Sequence, residues 1–213
     1  MNCDKKDLLL YAVTDSTWLN GRTLSEVVEE SLEGGVTFLQ LREKKLDREA
    51  FLEEAKALKK LAEKYHVPLV INDNVDIALE MDADGVHVGQ SDMEAGDVRA
   101  KLGPDKIIGV SARTVEQAIL AEQRGADYLG VGAVFQTGTK LDAKPLDHKV
   151  LKAITEAVSI PVVAIGGITR ENIPELAGNG VAGVAVVSAI YAQKDIRAVA
   201  KELKEITAKM VQQ

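Results

Sequence analysis

The chain has 213 residues, 46% hydrophobic and 28% charged, which is ordinary for a soluble globular protein and enough for a stable core. A formal net charge of −7, with no basic stripe interleaved with aromatics, argues against nucleic-acid binding. A lone cysteine, Cys3, excludes an intramolecular disulfide framework and a cysteine zinc cluster. No apolar run is long enough for a membrane span or a signal peptide, so a cytoplasmic location is expected.

Nothing resembles a linker, so one domain over residues 1–213 is expected. With only 4% aromatic residues, aliphatic side chains are expected to fill its core. The first unit is an apolar run over 8–14, helical spacing over 24–32 and a stop at Gly34-Gly35. The second opens at 36–42, and Phe51, Ala55, Leu58, Ala62 and Tyr65 then recur at steps of four and three on one helical face. A strand at 69–71 ends at Asn72-Asp73-Asn74 before a short helix over 75–81, and a strand at 85–88 ends at Gly89-Gln90-Ser91-Asp92 before a helix reaching Leu102. A strand at 107–110 ends at Ser111, with a helix over 114–124 that Gly125 stops.

An apolar run at 128–134 then feeds a polar segment, and helical spacing resumes over 147–158. A strand at 162–165 meets Gly166-Gly167, a helix is expected over 170–177, and a strand at 183–187 ends at Ser188. The closing helix places Ile196, Val199, Leu203, Ile206 and Met210 on one face. Residues 82–86, 125–129 and 180–184 echo one another, through duplication or through shared helix-to-strand loop geometry.

Eight short apolar strands alternating with helices imply parallel pairing with both faces covered, and a closed (β/α)₈ TIM barrel fits the count and length. A doubly wound sheet is the alternative. Gly130-x-Gly132 hints at a dinucleotide turn but lacks the third glycine.

In such barrels the loops after the strands converge on one face, where catalytic groups gather. The strand ends here supply Gln40, Arg42 and Lys44, then Asn72 and Asp73, Asp92, Ser111, Thr137 to Lys140, Gly167 and Ser188. Asp73 and Asp92 follow neighbouring strands about 4.8 Å apart, so together they suit one hard cation such as Mg²⁺; each is equally suited to capping the next helix. Arg42, Lys44 and Lys140 are candidates to grip a pyrophosphate with Ser111 adding a hydroxyl, although solvated lysines and a capping serine are the plain alternatives. Gly166-Gly167 and Val187-Ser188 precede expected helices where barrels seat a phosphate on backbone N–H groups. His66 and His148 read as surface helix residues and His87 as a hydrogen-bonded core histidine; no nucleophile–base pair is evident.

Together Gln40-Leu-Arg-Glu-Lys44, Ile71-Asn-Asp-Asn-Val-Asp76, Gly85-Val-His-Val-Gly-Gln-Ser-Asp92, Gly109-Val-Ser111, Gly130-Val-Gly132 with Thr137-x-Thr-Lys140, and Ile165-Gly-Gly-Ile168 resemble the thiamine-phosphate synthase family, in order from about Leu9 to Ile190. The resemblance implies a transferase of thiamine biosynthesis that joins hydroxymethylpyrimidine pyrophosphate to a thiazole phosphate, with release of pyrophosphate and dependence on Mg²⁺. It places Gln40, Leu41, Arg42, Glu43, Lys44, Asn72, Ser111 and Lys140 on the pyrimidine pyrophosphate, with Arg42, Ser111 and Lys140 catalytic. Asp73 and Asp92 would bind the metal, and Thr137, Gly138, Thr139, Gly167, Val187 and Ser188 the thiazole phosphate.

Three residues depart from the family pattern. Ala133 and Gln136 stand where proline is common, and Arg113 replaces the histidine of Ser-x-His. The related thiazole tautomerase branch shares the barrel without the coupling, and a non-catalytic phosphate-binding barrel would need no paired carboxylates. Small molecules are the expected partners, and a homo-oligomer is left open.

Overall fold

The computed structural model describes residues 3–137 and 145–213. Among them lie β1 (Leu10–Val13), β2 (Phe38–Leu41), β3 (Leu69–Asn72), β4 (Gly85–Val88), β5 (Ile107–Ala112), β6 (Tyr128–Gly132), β7 (Val162–Ile165) and β8 (Gly183–Val186). Each pairs in parallel with the next, and β8 closes on β1 with Tyr11 opposite Ala185. The helices between them are α1 (Leu24–Glu33), α2 (Arg48–Tyr65), α3 (Val75–Glu80), α4 (Ala95–Leu102), α5 (Val115–Gln123), α6 (His148–Ala157), α7 (Ser188–Tyr191) and α8 (Ile196–Met210). The fold is a (β/α)₈ barrel.

Local chemistry explains many of the helix starts. Thr23 and Glu26 form a reciprocal capping box on α1, and Asp47, Asn74, Thr114, Asp147 and Asp195 each accept an N–H at the start of the helix that follows. His66 ends α2 in the left-handed conformation, at φ 56°. The echo at 82–86, 125–129 and 180–184 is loop geometry. Asp82, Gly125 and Gly180 have φ of 54°, 89° and 75°, and β4, β6 and β8 begin three residues after them.

One expectation is corrected and one is extended. The helix over 170–177 is only a 3₁₀ turn at Ile173–Leu176, because Pro174 lacks an N–H and Gly178 and Gly180 take positive φ just beyond. On α8 the buried stripe is Ile196, Ala200, Leu203, Thr207 and Met210, with Val199 and Ile206 at its margin. Small Ala200 lets the helix sit close: a Cβ on Gly34 would meet the Ala200 Cβ at 2.6 Å.

The core has two layers, and they differ in chemistry. Between barrel and helices the filling is aliphatic, as expected, with Leu10, Leu39, Leu41, Ile71, Val86, Ile108 and Leu129 facing outward from the strands. The lumen is built around Tyr11, Phe38 and Tyr128, whose rings meet edge to face at centroid separations of 4.7–5.8 Å. Glycines make the room: a Cβ on Gly109 would lie 2.1 Å from the Tyr128 Cζ. A few aromatic residues therefore dominate the lumen although the composition is aliphatic.

At the opposite end from the strand C-termini, Asp127 is 4% exposed and accepts the Ile108 N–H (2.9 Å) and Arg99 Nη2 (2.6 Å). Arg99 also donates to the carbonyls of Gly103, Lys106 and Gly125, so one ion pair fastens α4 to the entries of β5 and β6. Removing Asp127 leaves the buried Ile108 N–H without its acceptor and the Arg99 cation without its counter-charge. Asp127→Ala is expected to cost about 3 kcal/mol in urea unfolding, whereas Glu94→Ala, which breaks the exposed pair with Arg124, should cost less than about 0.5 kcal/mol.

Candidate active site

The strand C-termini bring Gln40, Arg42, Asn72, Asp73, Asp92, Ser111, Gly167, Val187 and Ser188 to one mouth of the barrel. Asp73 follows β3 directly with φ of 60°, and its N–H donates to the His87 carbonyl on β4 (2.9 Å). This left-handed step is available to Asp and Asn at modest cost. It leaves Asn74, not Asp73, to cap α3.

Neither of the other capping alternatives survives. The Asp92 carboxylate accepts the Gly89 N–H at 2.7 Å and closes a turn, while α4 has Glu94 at its N-cap and no side-chain cap. Ser111 ends within β5, and Thr114 caps α5. The two aspartates are thus held toward each other over the mouth. Partial desolvation, and then the hydrogen-bonding and repulsion of Asp92, raise the Asp73 carboxyl above its ordinary range; Asn72, which donates to Asp73 at 2.7 Å, and the Lys44 cation pull the other way. Among the described residues no group of three or more His, Cys, Asp or Glu side chains is placed to hold a metal. The two aspartates fit a cation that completes its shell with substrate oxygens and water, and a divalent ion would relieve their mutual repulsion.

The cations come from β2. Thr14, fully buried, accepts the Arg42 N–H at 3.0 Å, and Asp15 binds Arg42 Nη1 at 3.0 Å. Burial pushes Asp15 up, but hydrogen bonds from Thr17 and the Arg42 cation outweigh it, and its net shift is downward. Asp15 therefore stays ionised and orients the guanidinium. Glu43 accepts the N–H groups of Lys44 and Lys45 at 2.7 and 2.8 Å, which shapes the loop that presents Lys44. The Leu41 side chain is fully buried in the outer core, so only its backbone is available to a ligand.

Ser111 faces the mouth, its Oγ 3.0 Å from His87 Nε2 and its carbonyl accepting Gln90 Nε2 at 2.6 Å. Arg113 reaches across to the Gly132 carbonyl at 3.1 Å, beside the cis Gly132–Ala133 peptide. The Phe135 N–H donates to the Gly166 carbonyl at 3.0 Å, and a Cβ on Gly167 would lie 2.3 Å from the Gln136 carbonyl oxygen. Only glycine admits that approach, since φ is also positive there. No helix follows Gly167 directly; Asn172 instead braces the turn, donating to the Gly167 carbonyl at 2.9 Å. Ser188 starts the short helix α7. Thr137 is described, while Gly138, Thr139 and Lys140 lie outside the described residues.

Asp15, Gln90 and the hydrogen-bonded interior behind Ser111 were not read as site residues from the sequence. Asp15 carried a signal, being the first carboxylate after the first strand. His87 was read as a hydrogen-bonded core histidine, and the structure agrees; Tyr11 and Tyr128 carried no signal, because an inward-facing polar residue and a packed one share the same alternation in a strand.

A family model described as thiamine monophosphate synthase matches residues 10–190. The chain is 53% identical over 202 residues to a thiamine-phosphate synthase of Ruminiclostridium cellulolyticum, covering 95% of this chain and 96% of that protein. It is 51% identical over 204 residues to one from Methanobrevibacter smithii, at 95% and 97% coverage. Among solved structures, a thiamine phosphate pyrophosphorylase from Pyrococcus furiosus superposes with a TM-score of 0.89 at 40% identity, over 97% of this chain and 98% of that one.

Asp73 has a raised pKa in the folded protein, so its contribution is unfavourable once the pH exceeds the unfolded carboxyl value and reaches its full cost above the folded one. Without divalent metal, Asp73→Asn is expected to stabilise the fold at pH 7 by about 0.5 kcal/mol, or ~1–2 °C, after allowance for screening by solvent. The gain should shrink as acid protonates the wild-type carboxyl. Melting curves with chelator at pH 7 and pH 4 read both effects.

Proposed function

The chain belongs to the thiamine monophosphate synthase family and is a transferase with that family's activity, and on this premise we propose that it joins hydroxymethylpyrimidine pyrophosphate to thiazole phosphate by a Mg²⁺-dependent, dissociative loss of pyrophosphate. The single observation that carries the metal-dependent part is the pair of aspartates turned toward each other at the mouth, released from helix capping and with the Lys44 cation acting on Asp73. Two carboxylates held together at a cost to the fold make chemical sense where a cation joins them.

Asp73 and Asp92 would hold the Mg²⁺, which supplies charge neutralisation to the departing pyrophosphate. Arg42, steadied by Asp15, and Lys44 present positive charge to the same group, and the Ser111 hydroxyl donates to it. Lys140 is assigned to the pyrophosphate as well, with Gln40 and Asn72 on the pyrimidine side. Thr137, Gly138, Thr139, Gly167, Val187 and Ser188 are assigned to the thiazole phosphate. The N–H groups of Ser188 and Ala189 precede the first N–H that bonds back along α7, that of Ile190 to the Val187 carbonyl, which suits an anion.

Once pyrophosphate leaves, the pyrimidine-methyl cation needs a positioned nucleophile, the thiazole nitrogen, and no enzyme nucleophile. Leu41 and Glu43 act indirectly, through backbone and loop shape. We further propose a cytoplasmic protein of one domain that works on small molecules.

Incubation of the purified protein with both substrates, with Mg²⁺ or with chelator, should yield thiamine phosphate only with the metal. Asp73→Ala is expected to lose at least about 100-fold in kcat/KM at limiting Mg²⁺, and Lys140→Ala to lower kcat more than it raises KM. Near-normal turnover by Asp73→Ala under those conditions would remove the metal assignment.

A further inference from the structure

The lumen beneath the site contains an unbroken line of hydrogen bonds. Gln40 Nε2 donates to the Tyr11 hydroxyl, the Tyr11 and Tyr128 hydroxyls are 2.7 Å apart, Tyr128 Oη lies 2.9 Å from His87 Nδ1, and His87 Nε2 lies 3.0 Å from Ser111 Oγ. Both its ends, Gln40 and Ser111, are residues assigned to the pyrimidine pyrophosphate. The three groups between are buried, with His87 8% exposed. The strands leave room for the line: Gly109 sits against the Tyr128 ring, and a Cβ on Gly130 would come within 3.0 Å of His87 Cε1.

Each tyrosine has a single proton to donate. Burial raises the pKa of both, so both remain neutral phenols. With the Gln40 amide donating to Tyr11, the Tyr11 proton goes to Tyr128, and the Tyr128 proton goes to His87 Nδ1. A neutral imidazole that accepts at Nδ1 carries its proton on Nε2 and donates it to Ser111 Oγ. The Ser111 proton is then directed away from His87. With Gln40 donating, this is the arrangement of the line in which every buried proton has an acceptor.

We propose that Tyr11, Tyr128 and His87 are positioning residues that hold His87 as its Nε2–H tautomer and turn the Ser111 hydroxyl proton out of the lumen, as a donor to the substrate's pyrophosphate. The substrate contact rests on the reading given under Proposed function, whereas the direction of the line does not. The reverse direction, with Ser111 donating to His87, would need the Gln40 amide turned so that its oxygen accepted from Tyr11, whereas Nε2 is the Gln40 atom that faces the Tyr11 hydroxyl.

The test combines a spectroscopic and a kinetic measurement. In protein labelled with ¹⁵N-histidine, which has only three histidines, the His87 resonances are assigned by their loss in His87→Gln. The expected wild-type state is Nε2–H, and Tyr128→Phe or Tyr11→Phe should raise the Nδ1–H population. Tyr128→Phe should lower kcat/KM for the pyrimidine pyrophosphate about tenfold, the scale of one hydrogen bond to a charged group, with KM for thiazole phosphate unchanged. In a Ser111→Ala background the same substitution should cost nothing further.

An Nδ1–H tautomer in the folded wild type overturns the proposal, as does an undiminished Tyr128→Phe effect in the Ser111→Ala background. Should Tyr128→Phe fail to fold, Tyr11→Phe serves for both readouts. If no thiamine phosphate forms, the substrate reading fails, and the tautomer still decides the direction of the line.

Discussion

A closed ring of parallel strands leaves a narrow lumen that must be filled without stranding a polar atom, and in this protein Tyr128 meets that constraint. Its ring occupies the space that Gly109 leaves, it packs edge to face with Tyr11 and Phe38, and its hydroxyl lies between Tyr11 and His87. Packing and hydrogen bonding are satisfied by one side chain, so the centre of the barrel is both dense and directional. The site inherits that rigidity, since Ser111 and Gln40 are the ends of the same arrangement.

The mouth is organised by charge. Asp73 and Asp92 repel each other at some cost to the fold, and the backbone accepts a left-handed residue to bring the first of them into place. Arg42 is oriented by Asp15 and anchored through Thr14, and Glu43 shapes the loop of Lys44. Acidic and basic groups converge on one small region of a chain whose overall charge is negative. An anionic substrate is therefore met by local cations against the average field of the protein. The Gly166-Gly167 turn adds a different kind of precision: the segment from Ala133 to Gln136 packs on it at distances that admit no side chain.

The sequence by itself determined the architecture and the roster of the mouth. Parallel strands buried on both faces read as short apolar runs, helices as steps of three and four, and their alternation leaves few other topologies. Because loops after parallel strands gather on one face, listing strand ends already brought Gln40, Arg42, Asp73, Asp92 and Ser111 together. Only the tertiary structure decided how each residue is held there. Asp73 and Asp92 looked as suited to capping as to metal until the N-cap positions of Asn74 and Glu94 removed the first role. The aromatic lumen and the line from Gln40 to Ser111 were illegible for one physical reason. They depend on contacts between residues up to 117 positions apart, and periodicity records which face a residue occupies but not what it meets there.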